Sequence, residues 1–198
     1  MLKNQLRPAI VLTLLLCVIT GLVYPGLVTA LAQLLFPRQA NGELITTSGG
    51  QVIGSALIGQ AFARAEYFHS RPSAAGNGYD DTLSGGTNKG PTDLKLADTL
   101  IAQAVDSEVK LDAGVKGRIP ADLVTSSASG VDPHISPASA WLQVARVARA
   151  RGLDSAVVRA LVERHIEGRQ FGFLGDPRVN VLLLNLALDS LRHASASP

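Results

Sequence analysis

The run Leu83-Ser84-Gly85-Gly86-Thr87-Asn88-Lys89-Gly90-Pro91-Thr92 holds the residue types that cradle a phosphate. Glycines let backbone amides approach an anion, a lysine supplies charge and a threonine can reach a metal. The order is wrong for that use. Lys89 precedes Gly90, and Pro91 removes an amide where a phosphate loop needs one. The four residues Leu83 to Gly86 also match the short signature of ABC-type ATPases, although glycine-rich turns carry such sequences for reasons of turn chemistry alone. A second candidate is hydrolytic. Asp132 and His134 lie among several serines, but no Gly-x-Ser-x-Gly elbow is present to expose a nucleophile. Asp132-Pro133 and Ser136-Pro137 read as a turn and a helix start. The sequence therefore assigns no catalytic residue. His69, His134, His165 and His193 have no metal-ligand spacing, and the single cysteine, Cys17, excludes a cysteine-ligated zinc site. No metal site is expected.

These loops need elements to hold them. Residues 39–62 alternate glycine with β-branched residues and predict short strands. Tyr67 to His69 reads as a further extended piece, and residues 70–91 as a long polar loop. Thr92 is placed as the cap of a helix over 94–105, with Leu96, Leu100, Ile101 and Ala104 on one side. Residues 119–124 read as a strand and 125–139 as a second polar loop. Three helices follow. Ser136 caps the first, whose apolar stripe is Trp141, Val144, Val147 and Ala148, and Gly152 stops it. Asp154 opens the second, with Val157, Val158, Leu161, Val162 and His165 buried or half-buried, an Arg159–Glu163 pair on its wet face and an end at Gly168. Asp176-Pro177 opens the third, Val179 to Leu191, read as the central helix of the core. The fold class is α+β.

Residues 8–37 carry no charge, a length that spans the roughly 20-residue apolar core of a bilayer with some tilt. They form either a membrane anchor or a signal peptide cleaved near Ala30-Leu31-Ala32; the apolar run continues past that point, which favours the anchor. Gly21, Gly26 and Ala30 would admit a neighbouring helix. The organisation expected is a cytoplasmic segment 1–7, a single-pass anchor 8–37, a soluble α+β domain 38–191 and a disordered tail 192–198. Lys3 and Arg7 precede the run, whereas Arg38 and Glu43 follow it. Positive charge tends to stay inside, so the domain is expected outside, on the periplasmic face of a bacterial inner membrane. The net charge of +2 lies wholly in Lys3 and Arg7. A neutral, aromatic-poor domain argues against nucleic acid. One span cannot form a pore by itself, and no potassium-filter sequence is present. Two classes of function fit: a non-catalytic subunit of a membrane complex, or an anchored binding module or enzyme acting alone.

Four segments resemble one family. Tyr67-Phe68-His69-Ser70-Arg71-Pro72-Ser73-Ala74, Leu83 to Asn88, Ser129-Gly130-Val131-Asp132-Pro133-His134-Ile135-Ser136-Pro137 and Gly172 to Leu182 closely resemble the C subunit of the bacterial Kdp potassium-transporting ATPase. The likeness runs in order from the anchor to about Leu191. It implies one membrane helix, an extracytoplasmic domain and an accessory, non-catalytic role in ATP-driven potassium uptake. The implied partners are a channel-like potassium-selective subunit and a P-type ATPase subunit. Potassium is then the ion carried by the complex, and no cofactor is intrinsic to this chain. The family's proposed role as a catalytic chaperone that raises ATP affinity would place nucleotide contact at Ser84, Gly85 and Gly86. A domain outside the cell meets little ATP, so the alternative is a periplasmic cap or binding module at the potassium entrance with no nucleotide role. Arg71, Asn88, Asp132 and His134, on the two polar loops, are the expected partner contacts.

Overall fold

The computed structural model describes residues 2–47, 49–111 and 118–195. The chain divides into two units, Met1–Ser55 and Ala56–Pro198.

In the first unit, α1 (Leu2–Val18) runs through a π turn at Ile19–Val23 into α2 (Tyr24–Leu35). Pro25 explains the π turn. A proline ring clashes with the carbonyl four residues back and has no N–H to offer. Widening the preceding turn, with the Tyr24 amide bonded to the Ile19 carbonyl, absorbs that clash without breaking the helix. Thr20 bonds back to the Leu16 carbonyl at 2.7 Å, so this hydroxyl is satisfied within its own helix. The stretch Asn4–Leu35 is 32 residues long, apolar enough to cross a membrane, and none of its most apolar window is buried. A short helix, α3 (Pro37–Ala40), leads to β1 (Leu44–Thr46) and β2 (Val52–Ser55). These pair antiparallel with a bulge between Ile45 and Thr46. The Ser55 hydroxyl donates to the Gly42 carbonyl at 2.6 Å and ties the hairpin to the turn before it.

The second unit is built on four α-helices among the described residues and a small sheet. Its helices are α4 (Ala102–Leu111), α5 (Pro137–Arg151), α6 (Ser155–Arg164) and α7 (Val181–Ser195). The strands are β3 (His134–Ile135), β4 (Ile166–Glu167) and β5 (Arg178–Asn180), in the antiparallel order β3-β5-β4. Val179 sits opposite both Ile135 and Ile166, which centres the sheet on the core. Val147 of α5, Val158 and Val162 of α6, and Leu184 and Leu188 of α7 are fully buried there with Phe68. Burying such a side chain contributes about 1.5–3 kcal/mol.

The helix ends follow their expected chemistry at α5 and α6. The Ser136 hydroxyl accepts from the Ser139 amide at 3.1 Å, and Pro137 opens α5. Gly152 stops it in the left-handed region (φ 65°), with the Leu153 amide returning to the Ala148 carbonyl. Asp154 accepts from the Ala156 amide at 2.9 Å.

Elsewhere the structure departs from expectation. The strand over 119–124 is a 3-10 turn at Ala121–Leu123, because Asp122 is drawn onto the start of α5, where its carboxylate accepts from the Ser136 amide and the Ser139 hydroxyl. Tyr67 to His69 joins no strand. Asp93, not Thr92, caps the helix that starts at Leu94, and that helix opens with a π segment over Leu96–Ile101 and continues to Leu111; Leu100 is exposed. The helix α6 ends at Arg164 rather than Gly168. Residues 178–180 are taken into the sheet, so α7 begins at Val181, capped by the buried Asn180 through the Leu183 amide. It continues through Ser195, into the expected tail; residues 196–198 lie outside the described residues. Trp141 and Val157 are 42% and 46% exposed rather than buried. The Arg159 guanidinium lies over the Trp141 ring, and Arg159 also pairs with Glu163 at 3.5 Å, as the spacing predicted.

Candidate functional site: a seam between two polar loops

The loops 70–91 and 125–134 meet along a continuous seam. At its inner end the Gly59 amide donates to the Val131 carbonyl at 2.8 Å. Arg71 then crosses between the loops. Its Nη1 donates to Asp132 Oδ2 at 3.1 Å, while Nε and Nη2 reach the Thr125 and Ser126 carbonyls at 3.4 Å. Both partners of the ion pair are partly covered, with side chains 23% and 29% exposed, so solvent screens the pair only in part. Asp132 Oδ1 accepts from the His134 amide at 3.0 Å and faces its Nδ1 at 3.4 Å. Burial pushes the Asp132 carboxyl upward, but the His134 hydrogen bonds and the Arg71 charge outweigh it and hold the group below the usual carboxylate range. Tyr79 buttresses Arg71 by donating to its carbonyl at 2.7 Å. Burial raises this phenol to about 12, so the hydroxyl remains a donor at any physiological pH.

At the outer end, Ser73 donates to the Gly130 carbonyl at 2.5 Å and accepts from the Tyr79 amide at 2.7 Å. The Ser84 hydroxyl and the Gly85 amide both donate to the Ser129 carbonyl, at 2.9 and 2.8 Å. A Cβ at Gly86 would meet the Ala128 carbonyl oxygen at 3.1 Å. Ser84 to Gly86 therefore form part of the seam: the small residues let two backbones touch, and the groups that could face a phosphate bind a neighbouring carbonyl. Asn88 adopts φ 53°, a conformation its side chain tolerates, and lines a shallow depression between 86–90 and 126–128.

Arg71, Asp132 and His134 thus come together, with Asn88 farther along the same loops. They open onto a shallow cleft of about 600 Å³ that is also lined by Asp122, Asp176 and Arg178. The cleft presents both signs of charge and suits contact with a polar protein surface. It holds a close Asp132–His134 pair, yet the Ser136 hydroxyl is committed to Asp122 and Ser139, away from the imidazole. Among the described residues, no three His, Cys, Asp or Glu side chains converge as a metal site. Gly21, Gly26 and Ala30 are exposed on the apolar helix of the other unit, and nothing lies within 4 Å of a Cβ built at either glycine. Tyr79 and Asp122 were not singled out from the sequence, and Ser73 and Ser129 entered only within the segments that carry the resemblance. Serines and aspartates in a turn-rich segment read as solvated turns, and only the tertiary pairing reveals them as links.

Residues 6–190 match the family model described as K+-transporting ATPase, c chain. The chain is 65% identical to the potassium-transporting ATPase KdpC subunit of Gemmatimonas aurantiaca over 195 residues, covering 98% of this chain and 96% of the relative. The KdpC subunits of Koribacter versatilis and Methylococcus capsulatus are 56% and 55% identical, covering 94% and 96% of this chain and 95% and 99% of theirs. The match spans the apolar helix, both polar loops and the helical core, and the chain belongs to the KdpC family, the c chain of K+-transporting ATPase.

Proposed function

We propose that this chain is the accessory subunit of a high-affinity, ATP-driven potassium uptake complex in a bacterial inner membrane. The observation that carries the reading is the family match from residue 6 to residue 190. The subunit is non-catalytic; ATP is hydrolysed by a P-type ATPase subunit, and potassium is selected by a channel-like subunit. The helix Asn4–Leu35 is the single-pass anchor, with Gly21, Gly26 and Ala30 offering close approach to a partner helix. The N-terminus lies in the cytoplasm and the domain outside. Arg71, Asn88, Asp132 and His134 belong to the face that docks on the partners, so the chain assists assembly and caps the potassium entrance.

A second reading makes the chain a chaperone that raises the ATP affinity of the ATPase subunit, with Ser84, Gly85 and Gly86 at the nucleotide. The Leu-Ser-Gly-Gly sequence favours it. The engagement of Ser84 and Gly85 with Ser129 favours the capping role instead. The KM for ATP of the purified complex separates the two. With Ser84→Ala, the capping role predicts a KM within about twofold of the parent, since no ground-state contact to ATP is lost. A rise of about tenfold, equivalent to about 1.4 kcal/mol, would establish nucleotide contact and overturn the capping assignment.

A further inference from the structure

The loop between β4 and β5 carries the most exposed aromatic residues of the second unit. Phe171 is 88% exposed, Phe173 70% and Leu174 46%. This is an ordered structure. Gln170 and Leu174 exchange both backbone hydrogen bonds, at 3.0 and 2.9 Å, and the Gly172 amide returns to the Arg169 carbonyl. Below the tip, Arg169 pairs with Asp176 at 3.0 Å and Arg178 with Glu167 at 2.9 Å. Phe171 sits at φ 52°, which a bulky L-residue rarely adopts. The hairpin thus holds two phenyl rings in water by means of a backbone conformation that disfavours one of them. Folding of this chain alone gains nothing from that arrangement. A strained residue whose side chain satisfies no internal contact points to an external one.

We infer that the Phe171–Gly172–Phe173–Leu174 tip inserts into an apolar recess on another subunit of the same potassium-transporting ATPase. The inference rests on the subunit reading given above. Three features select a protein recess over a lipid surface. The two arginines at the base are each matched by an acid within the hairpin, so the base carries no net positive charge to draw an anionic headgroup. An apolar centre ringed by satisfied polar pairs is the anatomy of an interface anchor. The tip is also held rigid before contact, which lowers the entropic cost of docking a defined cavity.

The test uses the full-length tagged chain, expressed with the rest of its complex in host membranes. Phe173→p-benzoylphenylalanine keeps an aromatic group at the tip and reports what it touches on illumination. The expected result is a covalent adduct with another subunit of the ATPase. Intact co-purification with no protein adduct, or with lipid adducts alone, would overturn the inference and leave the subunit reading standing. Failure of the unsubstituted chain to co-purify with the ATPase would bring down both. As a second measurement, Phe171→Ser with Phe173→Ser is expected to weaken recovery of the complex at least about tenfold while the domain melts normally, because solvent-exposed anchors serve binding rather than folding. Unchanged recovery would contradict the docking role.

Discussion

Gly130→Ala is expected to lower the thermal midpoint of the second unit by roughly 10 °C, from a destabilisation of about 3 kcal/mol. Two costs combine. The residue has φ 70°, where any Cβ is penalised by about 1–2 kcal/mol. The added methyl would also stand 2.6 Å from the Gly85 carbonyl oxygen, 2.7 Å from Ala75 Cβ and 2.8 Å from the Ala75 amide nitrogen. Two of those atoms are backbone, so relief requires the loops 70–91 and 125–134 to separate. Trp141 is the only tryptophan and lies on α5, so its fluorescence follows this unit in the full-length protein in detergent. Gly85→Ala is the matched control. Its Cβ would meet only the Leu83 carbonyl oxygen, at 3.9 Å, and a change within about 0.5 kcal/mol is expected. Equal melting of Gly130→Ala and the parent would mean that the two loops are not in contact.

Arg146→Ala is expected to be at least as damaging, at about 3–5 kcal/mol, as for other buried charged groups whose partners are left stranded. Arg146 is 4% exposed. It donates to the Ala65 and Tyr67 carbonyls at 2.7 and 2.9 Å and to Gln143 Oε1 at 2.6 Å. Around it, two side-chain amides act as surrogate strands. Asn185 accepts from the Phe68 amide and donates to the Phe68 carbonyl, at 2.9 and 3.0 Å. Gln143 does the same for His69, at 2.7 and 3.2 Å. The segment 65–69 is thereby sewn to α5 and α7 without joining a sheet, and Phe68 is pinned in the core. Removing the guanidinium leaves the Ala65 and Tyr67 carbonyls without this donor. Arg146→Lys should recover only part of the loss, because one ammonium cannot reproduce the planar fork. Recovery of full stability by lysine would contradict the geometry described for this clamp.

This clamp also shows what the sequence conceals. Gln143, Arg146 and Asn185 are polar residues on helices, and such residues ordinarily face water. They are buried because segment 65–69 lies across them, a fact fixed by contacts some 80 to 120 positions apart. A separation of 61 positions hides the Arg71–Asp132 pair in the same way, although each residue stood out within its own loop. Local signals fared better. Charge absence marked the apolar helix, and Ser136-Pro137, Gly152 and Asp154 marked three helix ends, because a cap is decided by residues two to four apart. The strand expected over 119–124 failed where tertiary demand entered: Asp122 is more valuable as the acceptor at the start of α5 than as a strand residue. Trp141 and Val157 were placed inward by periodicity, but they lie on the margin of the α5 and α6 stripes, where the Arg159 guanidinium covers the Trp141 ring.

The central claim is that this chain works as a subunit of a potassium-transporting ATPase and not alone. It is tested most directly by purifying the tagged, full-length protein in mild detergent from its host grown at low potassium, and identifying what accompanies it. The account predicts recovery of a P-type ATPase together with a channel-like potassium-selective membrane protein, with ATP turnover in the assembly and none in this chain by itself. Recovery of the chain alone while both partners are expressed, or ATP hydrolysis by the isolated chain that is lost on mutation of its own residues, would contradict it.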